Sequence, residues 1–244
     1  MPQNSNPWDL LSRNFNTHLA EDEIDPAAAD NIVISWPPIL QNILQEFKAD
    51  KNVWVLDFGC GTGGFSKKLS NLGFEVVGVD SSQEMINVAR KNSSNNTRYV
   101  VGNQQSLSSL RNFHVIVSLM TIQFIKNFET TIDTLVSKLK NNGLLIFSVF
   151  NREWVKACLK ANTPFSFTGF DLVNNPKNGF KEFKGGIKLP VYNRTAQEYD
   201  EIVKNHGLKK VMEEYPPFTK EFTDTYSYTK PTHVSEFMIL GYRK

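Results

Sequence analysis

Residues 53–65 read VWVLDFGCGTGGF: an apolar run, an acid, and then four glycines within six positions. An apolar run this short, stopped by glycines, reads as a central parallel strand. GFSKKLSNLG after it reads as a helix closing on Gly73. Strand, glycine turn and helix in that order demand an open α/β sheet, in which ligands sit at the carboxyl ends of the strands where strand order reverses. Glycines there let backbone approach the ligand, and the helix start offers free N–H groups. The spacing Gly59-x-Gly61-x-x-Gly64 is that of dinucleotide-binding loops, yet Asp57 stands two places ahead of the first glycine.

The chain downstream keeps the alternation. FEVVGVD is a second strand, and SSQEMINVARKN a helix capped by Ser82 with Met85, Ile86 and Ala89 inward. TRYVVG and FHVIVSL give strands three and four. ETTIDTLVSKLKNNG gives an amphipathic helix through Ile132, Leu135, Val136 and Leu139, and GLLIFSVF a fifth strand. Five such units in succession predict a doubly wound α/β sheet with right-handed crossovers. Upstream, Pro37-Pro38 open a helix through Phe47. Residues 1–35 form an N-terminal arm, polar and acidic with scattered aromatics. Residues 151–190 are irregular, aromatic and rich in Gly and Asn, which fits a cap over an active site better than a structureless loop. RTAQEYDEIVKNHG is a helix from Thr195 to Gly207; LKKVMEEYPPF and HVSEFMILGYRK finish the chain as two strands. The whole reads as a single domain, 1–244, with an arm and a cap.

With 244 residues, 40% of them hydrophobic, the chain can bury a substantial core. A net charge of +2 with no basic stripe argues against a nucleic-acid partner. No apolar run approaches the roughly 20 residues that cross a bilayer, and MPQNSNPWDLL lacks the cationic start and apolar core of a secretion signal. Cys60 and Cys158 lie far apart, one inside the glycine loop, so neither a disulfide framework nor a metal site is expected. A cytoplasmic protein acting on a small molecule follows as the expectation.

Three features bear on the ligand. A carboxylate at Asp57 repels a pyrophosphate and attracts an ammonium group. Asp80, closing the second strand, suits the two hydroxyls of a ribose in either kind of cofactor. Asn103 and Gln104, after the third strand, offer donor and acceptor together, matching the amino group and ring nitrogen of adenine.

At these residues the chain resembles the class I S-adenosylmethionine-dependent methyltransferases, over about 35–150. VLDFGCGTGGF is similar to the family's first motif, GVDSSQEM to its second, and NNGLLIFSV to its loop and fifth strand. The resemblance implies a mostly parallel, seven-stranded, Rossmann-like sheet whose last strand, around FMILGYR, is antiparallel and inserted. It implies S-adenosylmethionine as cofactor. Gly59, Gly61 and Gly63 would approach the methionine part, with Cys60 in the same loop and Asp57 near the amino group. Asp80, followed by Ser81, would accept from the ribose, Met85 would pack on the adenine, and Asn103 and Gln104 would lie at its edge; many relatives carry Asp in place of Asn103. Ser118 to Met120 would wall the sulfonium. His114 and Leu119 depart from the family pattern. VSLMTIQFI, with its Gln123-Phe124 pair, resembles methyltransferases of small carboxylic acids.

No residue is singled out as catalytic, because transfer from a sulfonium mainly needs alignment and exclusion of water. His114 and His206 read as structural or surface residues, while His18 and His233 are placed to border the cleft. Trp8, Arg13 and Phe15 are candidates for a lid. Phe165, Phe167, Phe170, Phe180 and Phe183 either line a substrate pocket or fasten the cap. Two other readings stay open: a nicotinamide-linked oxidoreductase using Gly59, Gly61 and Gly64, and a non-catalytic S-adenosylmethionine-binding partner protein.

Overall fold

The computed structural model describes residues 6–19, 23–163, 166–171 and 177–244. Seven strands form the main sheet: β1 (Trp54–Phe58), β2 (Glu75–Asp80), β3 (Thr97–Val101), β4 (Phe113–Leu119), β5 (Leu139–Phe150), β9 (Lys209–Glu214) and β10 (Phe237–Arg243). Their order is β3-β2-β1-β4-β5-β10-β9. β1 pairs parallel with both β2 and β4, so strand order reverses between β1 and β4 and opens a crevice at their carboxyl ends. β10 runs antiparallel to β5 and β9 on either side, as expected of the inserted last strand.

Alternation along β1 divides the core. Val55 faces one layer, with Ile39, Leu69 and Phe74, and Leu56 and Phe58 face the other, with Ile132, Leu135 and Tyr199. The first layer is built by α3 (Trp36–Glu46) and α4 (Gly64–Leu72). The second is built by α6 (Phe128–Lys138) and α8 (Ala196–Lys204). Thr195 and Glu198 form a reciprocal capping box at the start of α8, a device whose loss costs about 1 kcal/mol. α5 (Gln83–Lys91) starts at Ser82, whose hydroxyl accepts the Met85 N–H at 3.1 Å.

Several boundaries differ from expectation. α6 ends at Lys138, and β5 already begins at Leu139, because Leu139 pairs with Phe113 and is buried. Asn142, at φ 58°, then turns the chain where a longer helix was expected. The segment after Asn151 is also more regular than its composition suggests. It holds α7 (Arg152–Ala161), capped by Asn151 and burying Trp154, Val155 and Cys158, and an antiparallel sheet of β6 (Phe167–Thr168), β7 (Asn178–Glu182) and β8 (Lys188–Tyr192). Between β9 and β10 lies a short α9 (Lys220–Thr225). In the arm, α1 (Pro7–Leu11) and α2 (Pro26–Asp30) precede a π-helical turn, Asn31–Ser35, that leads into α3.

Candidate active site

The glycine turn bends as its sequence requires. Gly59, Gly61 and Gly63 all have positive φ, at 79°, 53° and 83°, a region in which only glycine is free of strain. A Cβ on Gly59 would come within 2.1 Å of Thr121 Oγ1, and one on Gly63 within 2.5 Å of the Tyr99 hydroxyl. A Cβ on Gly61 would meet only Met85 Sδ, at 4.0 Å. The loop is therefore packed from behind at two glycines and open at the third.

That opening faces a cavity of about 730 Å³ at the carboxyl ends of β1, β2 and β4, near the upper range for ligand pockets. Of the candidate residues, Asp57, Gly59, Cys60, Gly61, Asp80, Ser81, Met85, Asn103, Gln104 and Met120 all line it. Gly63 and Ser118 stand behind the wall. Gly63 receives the Tyr99 hydroxyl on its carbonyl, and Ser118 is fully buried, donating to the Phe58 carbonyl at 2.8 Å.

The acids differ in their settings. Asp57 is 2% exposed, and Ser66 donates to its Oδ2 at 2.6 Å. Burial pushes its pKa up to about 7; the Ser66 hydrogen bond pulls the other way, and the nearby Asp80 charge adds to the rise. Asp80 accepts the Gly61 N–H on Oδ2 and the Ser82 N–H on Oδ1, each at 2.9 Å. Its pKa is also raised, by burial first, while those two N–H bonds act against the rise. Asn103 turns its side-chain oxygen to the Gln105 N–H, capping the 3-10 turn Gln104–Ser109.

The N-terminal segment packs against this loop. Thr62 donates to the Phe15 carbonyl at 2.9 Å, and His18 Nε2 contacts the Thr62 carbonyl at 2.7 Å. His18 thus holds the loop from behind. His233 is exposed, His114 accepts the Trp54 N–H inside the fold, and His206 Nε2 meets Asp133 on the surface. Trp8 and Phe15 reach the cavity, whereas Arg13 is exposed. Among the cap aromatics, Phe183 lines the cavity, Phe167 packs between Phe150 and Trp154, and Phe180 points outward at 45% exposure. Phe165 lies outside the described residues.

Sequence reading missed the far end of the cavity, lined by Lys181, Tyr228, Lys230 and Glu236. These come from separate segments that meet only once the cap and the 226–236 loop fold over β5. The signal present was a broken pattern: β7 places Phe180 outside and Lys181 inside, the reverse of apolar-in patterning.

Lining lysines occur at one end of the cavity alone, where the acids Asp25, Glu182 and Glu236 also line it. The glycine-loop end carries Asp57 and Asp80, while the lining lysines, Lys181, Lys184 and Lys230, all belong to the cap and the 226–236 loop. Acids against the loop oppose a diphosphate and favour a cation there.

The chain is similar to known proteins. A family model described as a methyltransferase domain matches residues 35–211. A ubiquinone biosynthesis O-methyltransferase of Pelagibacter ubique is 30% identical over 47% of this chain and 51% of its own. A malonyl-[acyl-carrier protein] O-methyltransferase of Buchnera aphidicola is 28% identical over 73% of this chain and 69% of its own. The chain spans about half the length of most of the curated relatives it matches. Among solved structures, an S-adenosylmethionine dependent methyltransferase of Mesorhizobium loti superposes with a TM-score of 0.63 at 17% identity, over 85% of this chain and 96% of its own. The matched region holds the glycine turn, both acids and the crevice they border, and the chain belongs to the methyltransferase domain family.

Proposed function

We propose that this protein is an enzyme that transfers a methyl group from S-adenosylmethionine to a small-molecule acceptor bound in the same cavity. The observation that carries this reading is the pair Asp57 and Asp80 flanking a left-handed glycine turn, with no lysine or arginine lining that end among the described residues. The residues fit the cofactor. Asp57 would face its ammonium group, and Gly59, Cys60 and Gly61 would lie along its amino-acid part. Asp80 keeps lone pairs for ribose hydroxyls beyond the two N–H bonds it already accepts. Met85, 3% exposed, offers a polarisable surface for a purine, with Ser81, Asn103 and Gln104 around it. When bound, the cofactor supplies an electrophilic methyl on a good leaving group. The protein's part is to align the acceptor and exclude water, which the aromatic end of the cavity suits.

Residues 1–35 act as a lid and 151–190 as a cap in this reading, within one domain. Both described cysteines are free thiols, which supports a reducing, cytoplasmic setting. No helix among the described residues is long and apolar enough to cross a membrane. The even mixing of acids and bases along the chain supports a partner other than nucleic acid.

Calorimetric titration with S-adenosylhomocysteine and with NADH tests the cofactor, and label transfer from methyl-labelled S-adenosylmethionine into a metabolite extract tests turnover. Binding of the first ligand together with labelled product is expected. Binding of NADH alone would overturn the reading in favour of an oxidoreductase, and cofactor binding with no labelled product would leave only a binding protein.

A further inference from the structure

Glu236 stands just ahead of β10, is 4% exposed and lines the cavity together with Tyr228. The Tyr228 hydroxyl donates to Glu236 Oε2, and its own oxygen keeps lone pairs for another donor. The sheet fixes where the two stand. Leu119 on β4 pairs with Ser148 on β5, and the Met120 N–H donates to the Ser148 carbonyl at 2.9 Å. On the other side of β5, Phe150 pairs with Phe237 of β10, and the Asn151 N–H donates to the Glu236 carbonyl at 2.7 Å. Met120 and Glu236 therefore flank the carboxyl end of β5. They lie two strand spacings across and two residues along, roughly 12 Å between backbones. Met120, Phe124 and Tyr228 all pack on one cluster around Phe150 and Trp154. The family resemblance would put the sulfonium at Ser118 to Met120, so Tyr228 and Glu236 border the space that an acceptor must fill.

A structural tie between the two would not need an acid. Glutamine at position 236 would accept the same bond from Tyr228 without the cost of burying a carboxylate. That cost is raised by a second carboxyl, Asp30 at the end of α2, which is fully buried and in contact with Glu236. Local rules broken without a structural gain mark functional sites.

The neighbours divide the work. Burial first, and the Glu236 charge next, hold the Asp30 pKa well above the carboxylate range. Asp30 therefore keeps its proton near neutrality and leaves Glu236 as the proton acceptor of the two. Burial, then the Glu236 and Asp30 charges, raise the Tyr228 pKa, so in the resting protein the phenol holds its proton and serves to relay one. Lys181 on β7, Lys230 in the 226–236 loop and Cys158 on α7 also face the group.

We infer that Glu236 is the general base of the transfer, taking a proton from the acceptor through the Tyr228 hydroxyl, and that the acceptor is a hydroxyl or amine with a proton on its nucleophilic atom. This rests on the methyltransferase reading above and adds its proton acceptor. A lone pair of the acceptor atom forms the bond to the methyl carbon, and the S–C bond breaks with its electron pair going to sulfur. The acceptor's O–H or N–H proton moves to the Tyr228 oxygen as Tyr228's own proton moves to Glu236 Oε2. The products are the methylated acceptor, S-adenosylhomocysteine and a protonated Glu236, which returns its proton to water once the product has left. An acceptor without such a proton would leave the base without a role.

The test uses the full chain with saturating methyl-labelled S-adenosylmethionine and a metabolite extract as the source of acceptor. The labelled product is expected to be a methyl ether or a methylamine. With that acceptor purified, Glu236→Gln should slow single-turnover transfer about 10²-fold or more, the low end for a lost general base, and Tyr228→Phe at least about tenfold. The parent rate should level off at alkaline pH, whereas the Glu236→Gln rate should keep rising as the acceptor sheds its own proton to hydroxide. A structural tie would show no such rescue. Both variants should bind S-adenosylhomocysteine within about twofold of the parent, which also reports that they fold; if Tyr228→Phe does not, Glu236→Gln, which keeps the shape and an acceptor oxygen, carries the test. A labelled methyl ester, a rate within about threefold of the parent in either variant, or a defect that alkaline pH does not relieve would overturn the inference and leave the cofactor reading intact. S-adenosylhomocysteine binding with no labelled product would overturn the inference together with the transfer reading, and failure of S-adenosylhomocysteine to bind would overturn the cofactor reading as well.

Discussion

The Ser66 hydroxyl sits 2.6 Å from Asp57 Oδ2, and joins the first turn of α4 to the end of β1 beneath the glycine loop. The carboxyl is buried and titrates near pH 7, so the free protein carries Asp57 protonated below neutrality. A ligand with an ammonium group needs the carboxylate. Below about pH 7 its binding must also expel a proton, and affinity for S-adenosylhomocysteine should fall as pH drops, by up to about tenfold per pH unit, with a plateau above pH 7. Asp57→Asn should bind more weakly at pH 8 and show a flat profile. A parent profile already flat between pH 5.5 and 8 would remove Asp57 from the amino-group site. Folding stability has the opposite dependence. The folded value lies above the unfolded value of 3.8, so the folded state holds more protons between about pH 4 and 7 and loses stability as pH rises through that window. Urea titrations of parent and Asp57→Asn across it should diverge accordingly.

Asp80 does two things at once. It accepts the Gly61 and Ser82 N–H groups, fixing the turn and the start of α5, and it faces the cavity. Asp80→Ala should weaken S-adenosylhomocysteine by about 1–3 kcal/mol, or roughly 5- to 150-fold. Asp80→Asn keeps an acceptor and should lie between. Calorimetry on both variants checks this, and unchanged affinity in Asp80→Ala would exclude the ribose role.

Much of the glycine-loop end is legible in the amino-acid sequence. β1, β2, β4 and the α4 turn follow from short apolar runs punctuated by glycine, and the antiparallel last strand from the family likeness. The loop-end acids stand out because a carboxylate two places before a glycine turn has few structural uses. The far end of the cavity is not legible in the same way. Asp30, Lys181, Lys230 and Glu236 are ordinary charges in their own segments, and only tertiary packing brings them together. α7 could have been read, since Asn151 caps it and Trp154, Val155, Cys158 and Leu159 recur at helical spacing. Composition outweighed periodicity there.

The loop glycines should respond differently to one added methyl. Gly59→Ala forces a residue at φ 79° to place its Cβ 2.1 Å from Thr121 Oγ1, and so displaces the hydroxyl that donates to the Gly59 carbonyl at 3.2 Å. Backbone strain of about 1–2 kcal/mol plus that clash should lower the melting temperature by roughly 5–10 °C in a chain of this size. Gly61→Ala, at φ 53°, carries the same kind of backbone strain without the clash and should cost less stability. Its methyl enters the cavity wall instead, so it should lose affinity for S-adenosylhomocysteine out of proportion to stability. Thermal melts and calorimetry on the pair separate the effects; equal melting shifts would mean that the loop yields at both positions alike.

Asp9 and Trp8 tie the arm across the cavity, one to α5 and the other to the cap. Asp9 Oδ1 accepts from Ser82 Oγ at 2.5 Å and from the Glu84 N–H at 3.2 Å. Trp8 packs edge-on against Phe124 and Phe183, with ring centres 5.0 and 5.9 Å away. Such aromatic pairs contribute about 0.5–1.5 kcal/mol each, so removing both contacts in Trp8→Ala should destabilise the closed arm by roughly 1–3 kcal/mol. The core strands do not depend on the arm, so that loss should appear as faster escape of ligand and not as global unfolding. Stopped-flow displacement of S-adenosylhomocysteine should show dissociation accelerated about tenfold, with the melting temperature of the free protein shifted by only a few degrees. If dissociation is unchanged while the melting temperature falls sharply, the arm is part of the core and the ligand enters and leaves by another route.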